Sequence, residues 1–200
     1  IDPDTGYKTI NPYTIPQLDE TRLICANHYG AKSWPPAAFN PTTNRLYLPL
    51  NEGCMEAGPE GRYEILTTGV QMRQALLPDS NGRMGRIQAL DLGSQEFDWL
   101  HRQPSPVISS ILATAGGLVF AGDLNRNFKA LDEATGEVLW EMDLDDIPSS
   151  TIVTYAVEDI QYVAIATGQT GYHVNDWARM YDIFAESQGM PVNDSPKGGA

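Results

Sequence analysis

One phrase is written twice in this chain. "IQALDLGSQEFDW" runs from Ile87 to Trp99, and "FKALDEATGEVLW" runs from Phe128 to Trp140. Asp132 follows Asp91 by 41 residues, and Trp140 follows Trp99 by the same 41. A partial third copy, "IDPDTG", opens the chain, with Ile1-Asp2 standing where Leu90-Asp91 and Leu131-Asp132 stand. A period near 40 with strand character predicts propeller blades or a similar array.

Within each unit the segments read as short strands. "GGLVFAGD" (Gly116 to Asp123) is an apolar run bounded by glycines, and "NFKALD" (Asn127 to Asp132) alternates, with Phe128 and Ala130 on one face. Asp132 to Gly136 is a turn, because Asp bonds its own downstream backbone and Gly accepts a positive φ. "EVLWEMDL" is the next strand, "AAFNPTTNRLYLPL" a hairpin turning at Asn40 to Asn44, and Ser150 to Gly168 a strand pair around Glu158-Asp159. The best helical candidate is Asp176 to Gln188, with Asp176 as a possible N-cap. A tryptophan at one fixed place in each repeat has a structural duty first. It covers the next blade, and its burial is worth a few kcal/mol.

The 200 residues suffice for one sizeable core or part of a larger one, and 18 Gly with 14 Pro fit a turn-rich all-β architecture. The formal charge of -13, from 13 basic and 26 acidic residues, argues against a nucleic-acid surface. No apolar run has the roughly 18 residues of a membrane span. The chain opens on Ile1 without Met or signal peptide, so a mature piece or fragment of a longer polypeptide is expected. Residues 1–189 read as one folded portion and 190–200 as a loose tail. The two cysteines, Cys25 and Cys54, leave two readings open: buried thiols, or one disulfide formed in an oxidising compartment. His28, His101 and His173 have no metal-like spacing.

The repeat resembles the tryptophan-docking repeat of the pyrroloquinoline quinone (PQQ) dehydrogenases. "LATAGGLVFAGDLNRNFKALDEATGEVLW" (Leu112 to Trp140) resembles a late blade of that family, and "VTYAVEDIQYVAIATG" (Val153 to Gly168) its following segment. "ICANHYGAKSWPPAAFNPTTNRLYLPLNEGCM" (Ile24 to Met55) resembles the segment before, typically C-P-x-x-x-G-G-x-N-W and then N-x-x-C-M. The resemblance covers roughly residues 1 to 177, and three segments in order make it specific. It implies an all-β fold, a β-propeller of which this chain supplies about three C-terminal blades. PQQ and a calcium or lanthanide ion would lie on the axis. The catalytic acid-base Asp and the metal ligands belong to upstream blades in the family, so no catalytic residue or metal ligand is assigned here.

The resemblance also implies a Cys25–Cys54 disulfide and a periplasmic location. Ser33 and Trp34 stand at the family's cofactor-contacting Asn-Trp pair, with Ser replacing Asn. Ile108 stands where methanol oxidisers often place a tryptophan beside PQQ, so that any contact here would be made by an aliphatic edge in place of the ring. Thr170, with Gln169 between Gly168 and Gly171, falls in a Gly-rich strip near the cofactor in relatives. Without a ligand, Trp34 would simply pack under its loop and 168–171 would be an ordinary turn. Lys32 reads as a rim residue, and His28 and Tyr29 as the histidine and tyrosine best placed to reach substrate. The implied activity is oxidation of an alcohol, sugar alcohol or aldose. Electrons would pass to a cytochrome c or a quinone, and the N-terminal blades of the same enzyme would be the structural partner. No CxxCH haem motif occurs. The competing expectation is a non-catalytic propeller scaffold with the same repeat, which would not need the Cys-loop-Trp segment; a WD40-like module lacks its Trp-Asp and Gly-His signatures here.

Overall fold

The computed structural model describes residues 2–59, 63–64, 71–168 and 172–190. In chain order the strands begin with β1 (Arg22–Cys25), β2 (Ala38–Asn40), β3 (Arg45–Asn51), β4 (Gly53–Gly58) and β5 (Tyr63–Glu64). Next come β6 (Gln71–Leu76), β7 (Gly85–Asp91), β8 (Phe97–Gln103), β9 (Leu112–Ala113) and β10 (Leu118–Gly122). The last are β11 (Asn127–Asp132), β12 (Val138–Asp143), β13 (Val153–Val157) and β14 (Ile160–Ala164), before one helix, α1 (Tyr172–Ser187).

Two antiparallel four-stranded sheets, β2-β3-β7-β8 and β9-β10-β11-β12, are the blades that the repeat predicts. A hairpin, β13-β14, begins a further unit, and a side sheet, β1-β4-β6-β5, takes three strands from the long connection between β3 and β7 and β1 from the segment before β2. Edge strands β2 and β9 lie beside one another and mark the inner side of the arc. The core between the two blades holds Tyr47, Ile87, Ala89, Trp99, Val119 and Leu131.

The repeat is a structural unit down to its irregularities. Both copies carry a register shift at the same place, between Ala89 and Leu90 and between Ala130 and Leu131. The small Ala89 and Ala130 stand opposite Trp99 and Trp140. Asp91 Oδ1 accepts the N–H groups of Gly93 and Ser94 at 2.7 and 2.8 Å, and Asp132 Oδ1 those of Ala134 and Thr135, both at 2.9 Å. The opening copy makes the same turn, with Asp2 Oδ1 accepting from Asp4 and Thr5 at 3.0 and 2.8 Å.

Trp99 is 9% exposed and donates its indole N–H to the Glu133 carbonyl at 2.9 Å, across the interface between blades. The Glu133 carboxylate accepts from Asn40, Thr43 and Tyr47 of the preceding blade, each at 2.7 Å. Trp140 is different: it is 46% exposed, touching Phe128 edge-on. No described residue supplies a turn to cover it as Glu133–Gly136 covers Trp99. Burial of Trp140 between blades, expected from the repeat, therefore does not occur within the described chain.

Candidate cofactor face

Three connections feed the inner strands from the same end, residues 26–37 into β2, 104–111 into β9 and 144–152 into β13. They are bonded to one another. Ile111 N–H donates to the Pro36 carbonyl at 2.9 Å, Ser110 N–H to the Ser150 carbonyl at 3.2 Å, and Ile152 N–H to Ser110 Oγ at 2.8 Å. Backbone groups that would otherwise be orphaned at strand entrances are satisfied across the arc.

The first connection is the most constrained. Cys25 and Cys54 form a disulfide between registered neighbours on β1 and β4. By loop-closure entropy a 29-residue separation is worth roughly 3.5 kcal/mol. Asn27 gives its amide to Gln74 at 2.8 Å and receives the Asn51 amide at 3.1 Å, in a buried network. Asn51 N–H donates to the Ala31 carbonyl at 2.7 Å. Lys32 Nζ donates to the carbonyls of Ser33 and Pro35, and burial pulls its pKa below the ordinary lysine value. It ties the loop to itself from an exposed position.

On this frame Trp34 is 41% exposed and Ser33 half-buried. Ile108, on the second connection, is 1% exposed and sits in a cluster with Met84, Leu124, Ile147 and Trp177. Trp34 meets the same Trp177 edge-on, at 5.3 Å between ring centroids. The structure thus brings Trp34 and Ile108 to one place, but with Ile108 beneath a cover. Thr170 lies outside the described residues, as does the tail beyond Met190. His28 stays on this loop, against Tyr29 at 3.9 Å between centroids.

The cover is α1, whose stripe Val174, Trp177, Ala178, Tyr181 and Ala185 is buried. No role follows for these residues from the resemblance, although their i, i+3, i+4, i+7 spacing is visible in the sequence. Burial pushes the Tyr181 hydroxyl up to about 12, while Asn125 donates to it at 3.4 Å. Asp123, 1% exposed, is pushed up to about 6 by burial, against the opposing pull of Lys129 at 3.7 Å. It accepts from the N–H groups of Asn125 and Asn127 and from the Gln103 amide, so its oxygens are occupied in holding a turn. Among the described residues no group of three or more His, Cys, Asp or Glu could hold a metal ion. Nor is any helix there long and apolar enough to cross a membrane.

Residues 59–163 match the family model described as PQQ, glucose/ethanol/alcohol dehydrogenase, β-propeller domain. The chain belongs to this family of PQQ dehydrogenases. The lanthanide-dependent methanol dehydrogenase of Methylorubrum extorquens is 30% identical over 187 residues, covering 86% of this chain and 31% of that relative. That of Methylacidiphilum fumariolicum is 34% identical over 158 residues, covering 76% and 26%. Among solved structures, a europium-containing methanol dehydrogenase superposes with a TM-score of 0.67 at 29% identity, over 93% of this chain and 32% of that one. The quinohemoprotein alcohol dehydrogenase of Comamonas testosteroni gives 0.59 at 28% identity, over 75% and 24%. The chain spans 26–31% of the length of these two curated methanol dehydrogenases.

Proposed function

We propose that this chain is the C-terminal propeller portion, residues 1–189, of a periplasmic PQQ-dependent dehydrogenase that oxidises an alcohol, sugar alcohol or aldose. The observation that carries the reading is the disulfide-anchored loop, which presents Trp34 at the inner end of the blades beside the 104–111 connection. An exposed indole with a neighbouring hydroxyl suits a flat, polar-edged quinone: the ring offers a stacking face and Ser33 a donor and two acceptors. The names of the relatives support the same class of reaction.

PQQ, with its calcium or lanthanide ion, supplies the two-electron acceptor for the oxidation. Trp34 and Ser33 bind and orient it, while Ile108, covered by α1, supports the site from within the core rather than touching the cofactor. The catalytic Asp and the metal ligands are contributed by the rest of the enzyme, which also completes the ring of blades. Electrons leave to a cytochrome c or a quinone. The disulfide fits an oxidising compartment.

The experiment is a PQQ titration of the complete apoenzyme carrying Trp34→Ala. Loss of a stacking face worth about 1 kcal/mol raises the dissociation constant by roughly fivefold or more, with little change in melting temperature. Wild-type affinity in that variant would remove Trp34 from the site.

A further inference from the structure

We propose that Trp177 of α1 is a positioning residue for the cofactor site, setting the orientation of Trp34 and, through it, the affinity for the quinone. The inference rests on the reading of Trp34 as a cofactor-facing residue. Trp177 is 3% exposed and touches the 26–37 connection at two places. Tyr29 stacks on it at 4.9 Å between centroids, 27° from parallel, and Trp34 meets it edge-on at 5.3 Å and 69°. The Tyr29 hydroxyl reaches Met180 Sδ at 3.6 Å, so the loop is gripped by neighbouring positions on α1. On its other side Trp177 packs in the cluster that contains Ile108 and Ile147, from the second and third connections. The cluster around this indole therefore draws on all three segments that enter the inner strands, while the indole itself meets the first of them.

The base of the loop is fixed without α1. The Cys25–Cys54 bridge, the Asn27–Asn51–Gln74 network and the Asn51 to Ala31 bond hold its backbone. Lys32 holds the Ser33 and Pro35 carbonyls on either side of Trp34, and the Trp34 ring, which none of these backbone ties fixes, is 41% exposed. Removing the Trp177 ring takes its edge-on partner on α1 from the Trp34 ring while leaving these backbone ties in place. An aromatic pair prefers offset or edge-on geometry, so Trp177 selects among Trp34 orientations as well as filling space.

The test uses the complete enzyme with Trp177→Leu, Trp177→Phe and Phe184→Leu. Phe184 lies on α1 in the same cluster and reports general loosening of the helix. Two quantities are measured: the PQQ dissociation constant of the apoenzyme by calorimetry, and the ¹⁹F signal of 5-fluorotryptophan at position 34, assigned by its loss in Trp34→Phe. Trp177→Leu is expected to raise the dissociation constant severalfold, up to the roughly fivefold that follows from loss of the Trp34 face itself, and to shift the Trp34 signal in the absence of cofactor. Trp177→Phe, which keeps a ring in place, should recover most of both, and Phe184→Leu should lower the melting temperature alone. Should Trp177→Leu fail to fold, Tyr29→Leu removes the other ring of the stack without altering α1 and should show the same two changes. An unchanged dissociation constant in a folded Trp177→Leu enzyme overturns the proposal, as does an equal rise in Phe184→Leu. Wild-type apoenzyme that takes up no PQQ removes the functional reading instead, and the role of Trp177 with it.

Discussion

Gly136 shows how closely the two blades meet. Its φ is +73°, and a Cβ there would overlap the six-membered ring of Trp99. Gly6 occupies the same place in the opening copy of the turn, at φ +72°, and a methyl group there would meet nothing within 4 Å. The pair separates two costs. Gly6→Ala should lose only the backbone preference, about 1 kcal/mol, whereas Gly136→Ala adds overpacking and should lose about 2–4 kcal/mol. Urea unfolding of both variants measures the difference, and equal losses would mean that Trp99 yields without cost. The turn itself was legible, because Asp, Thr and Gly recur at fixed offsets in Asp2–Gly6 and Asp132–Gly136. The duty of Glu133 was not. The residue after A-L-D is Leu92 in one copy and Glu133 in the other, so periodicity cannot signal a carboxylate that accepts three hydrogen bonds from the preceding blade.

At the scale of elements, strands with a repeated partner or a marked turn were readable and those with neither were not. The β13-β14 turn falls on Glu158-Asp159, where both residues have positive φ, as a tight hairpin requires. Strands β4 and β6, "GCMEAG" and "QMRQAL", have no copy elsewhere in the chain and little alternation, so nothing in the sequence announces their sheet. The helix is expected from Asp176 and begins at Tyr172. Val174 belongs to its buried stripe, so the helical phase must extend back past the expected cap. Burial on α1 also pushes the Asp182 carboxyl up to about 6, with Glu186 one turn on adding repulsion. A folded pKa above the ordinary 3.8 means that the folded protein holds the proton more tightly. The stabilisation is complete below about 3.8 and is lost as pH rises through about 6. Asp182→Asn should therefore raise the melting temperature at pH 7, with the gain shrinking towards pH 4. A gain that is constant across that range would mean the carboxyl titrates normally.

The molecule as a whole has two unfinished flanks. On one side β12, β13 and β14 expose Leu139, Trp140, Met142, Tyr155, Ile160 and Tyr162, and on the other Phe39, Phe97 and Leu100 are open. Alternating strands place these side chains on faces that, between β2-β3-β7-β8 and β9-β10-β11-β12, are closed by the neighbouring sheet. The 41-residue period made the blade legible, but a repeat cannot state how many copies a ring needs, and the chain spans only 26–31% of the two curated methanol dehydrogenases. Trp140 is the residue that reports the difference. Its backbone register copies that of Trp99, opposite Ala130 as Trp99 is opposite Ala89, yet one ring is 9% exposed and the other 46%. If a further blade closes on β12 in the complete enzyme, its turn should cover Trp140 as Glu133–Gly136 covers Trp99. Trp140→Ala should then cost about 3–5 kcal/mol, the same as Trp99→Ala, since each would leave a large void between blades. Urea unfolding of the two variants of the complete enzyme decides the matter. A loss below about 1 kcal/mol for Trp140→Ala would show that its ring stays in water there, because a half-exposed ring forfeits little apolar burial when removed. The β12 flank would then be an outer surface of the enzyme and not a face between blades.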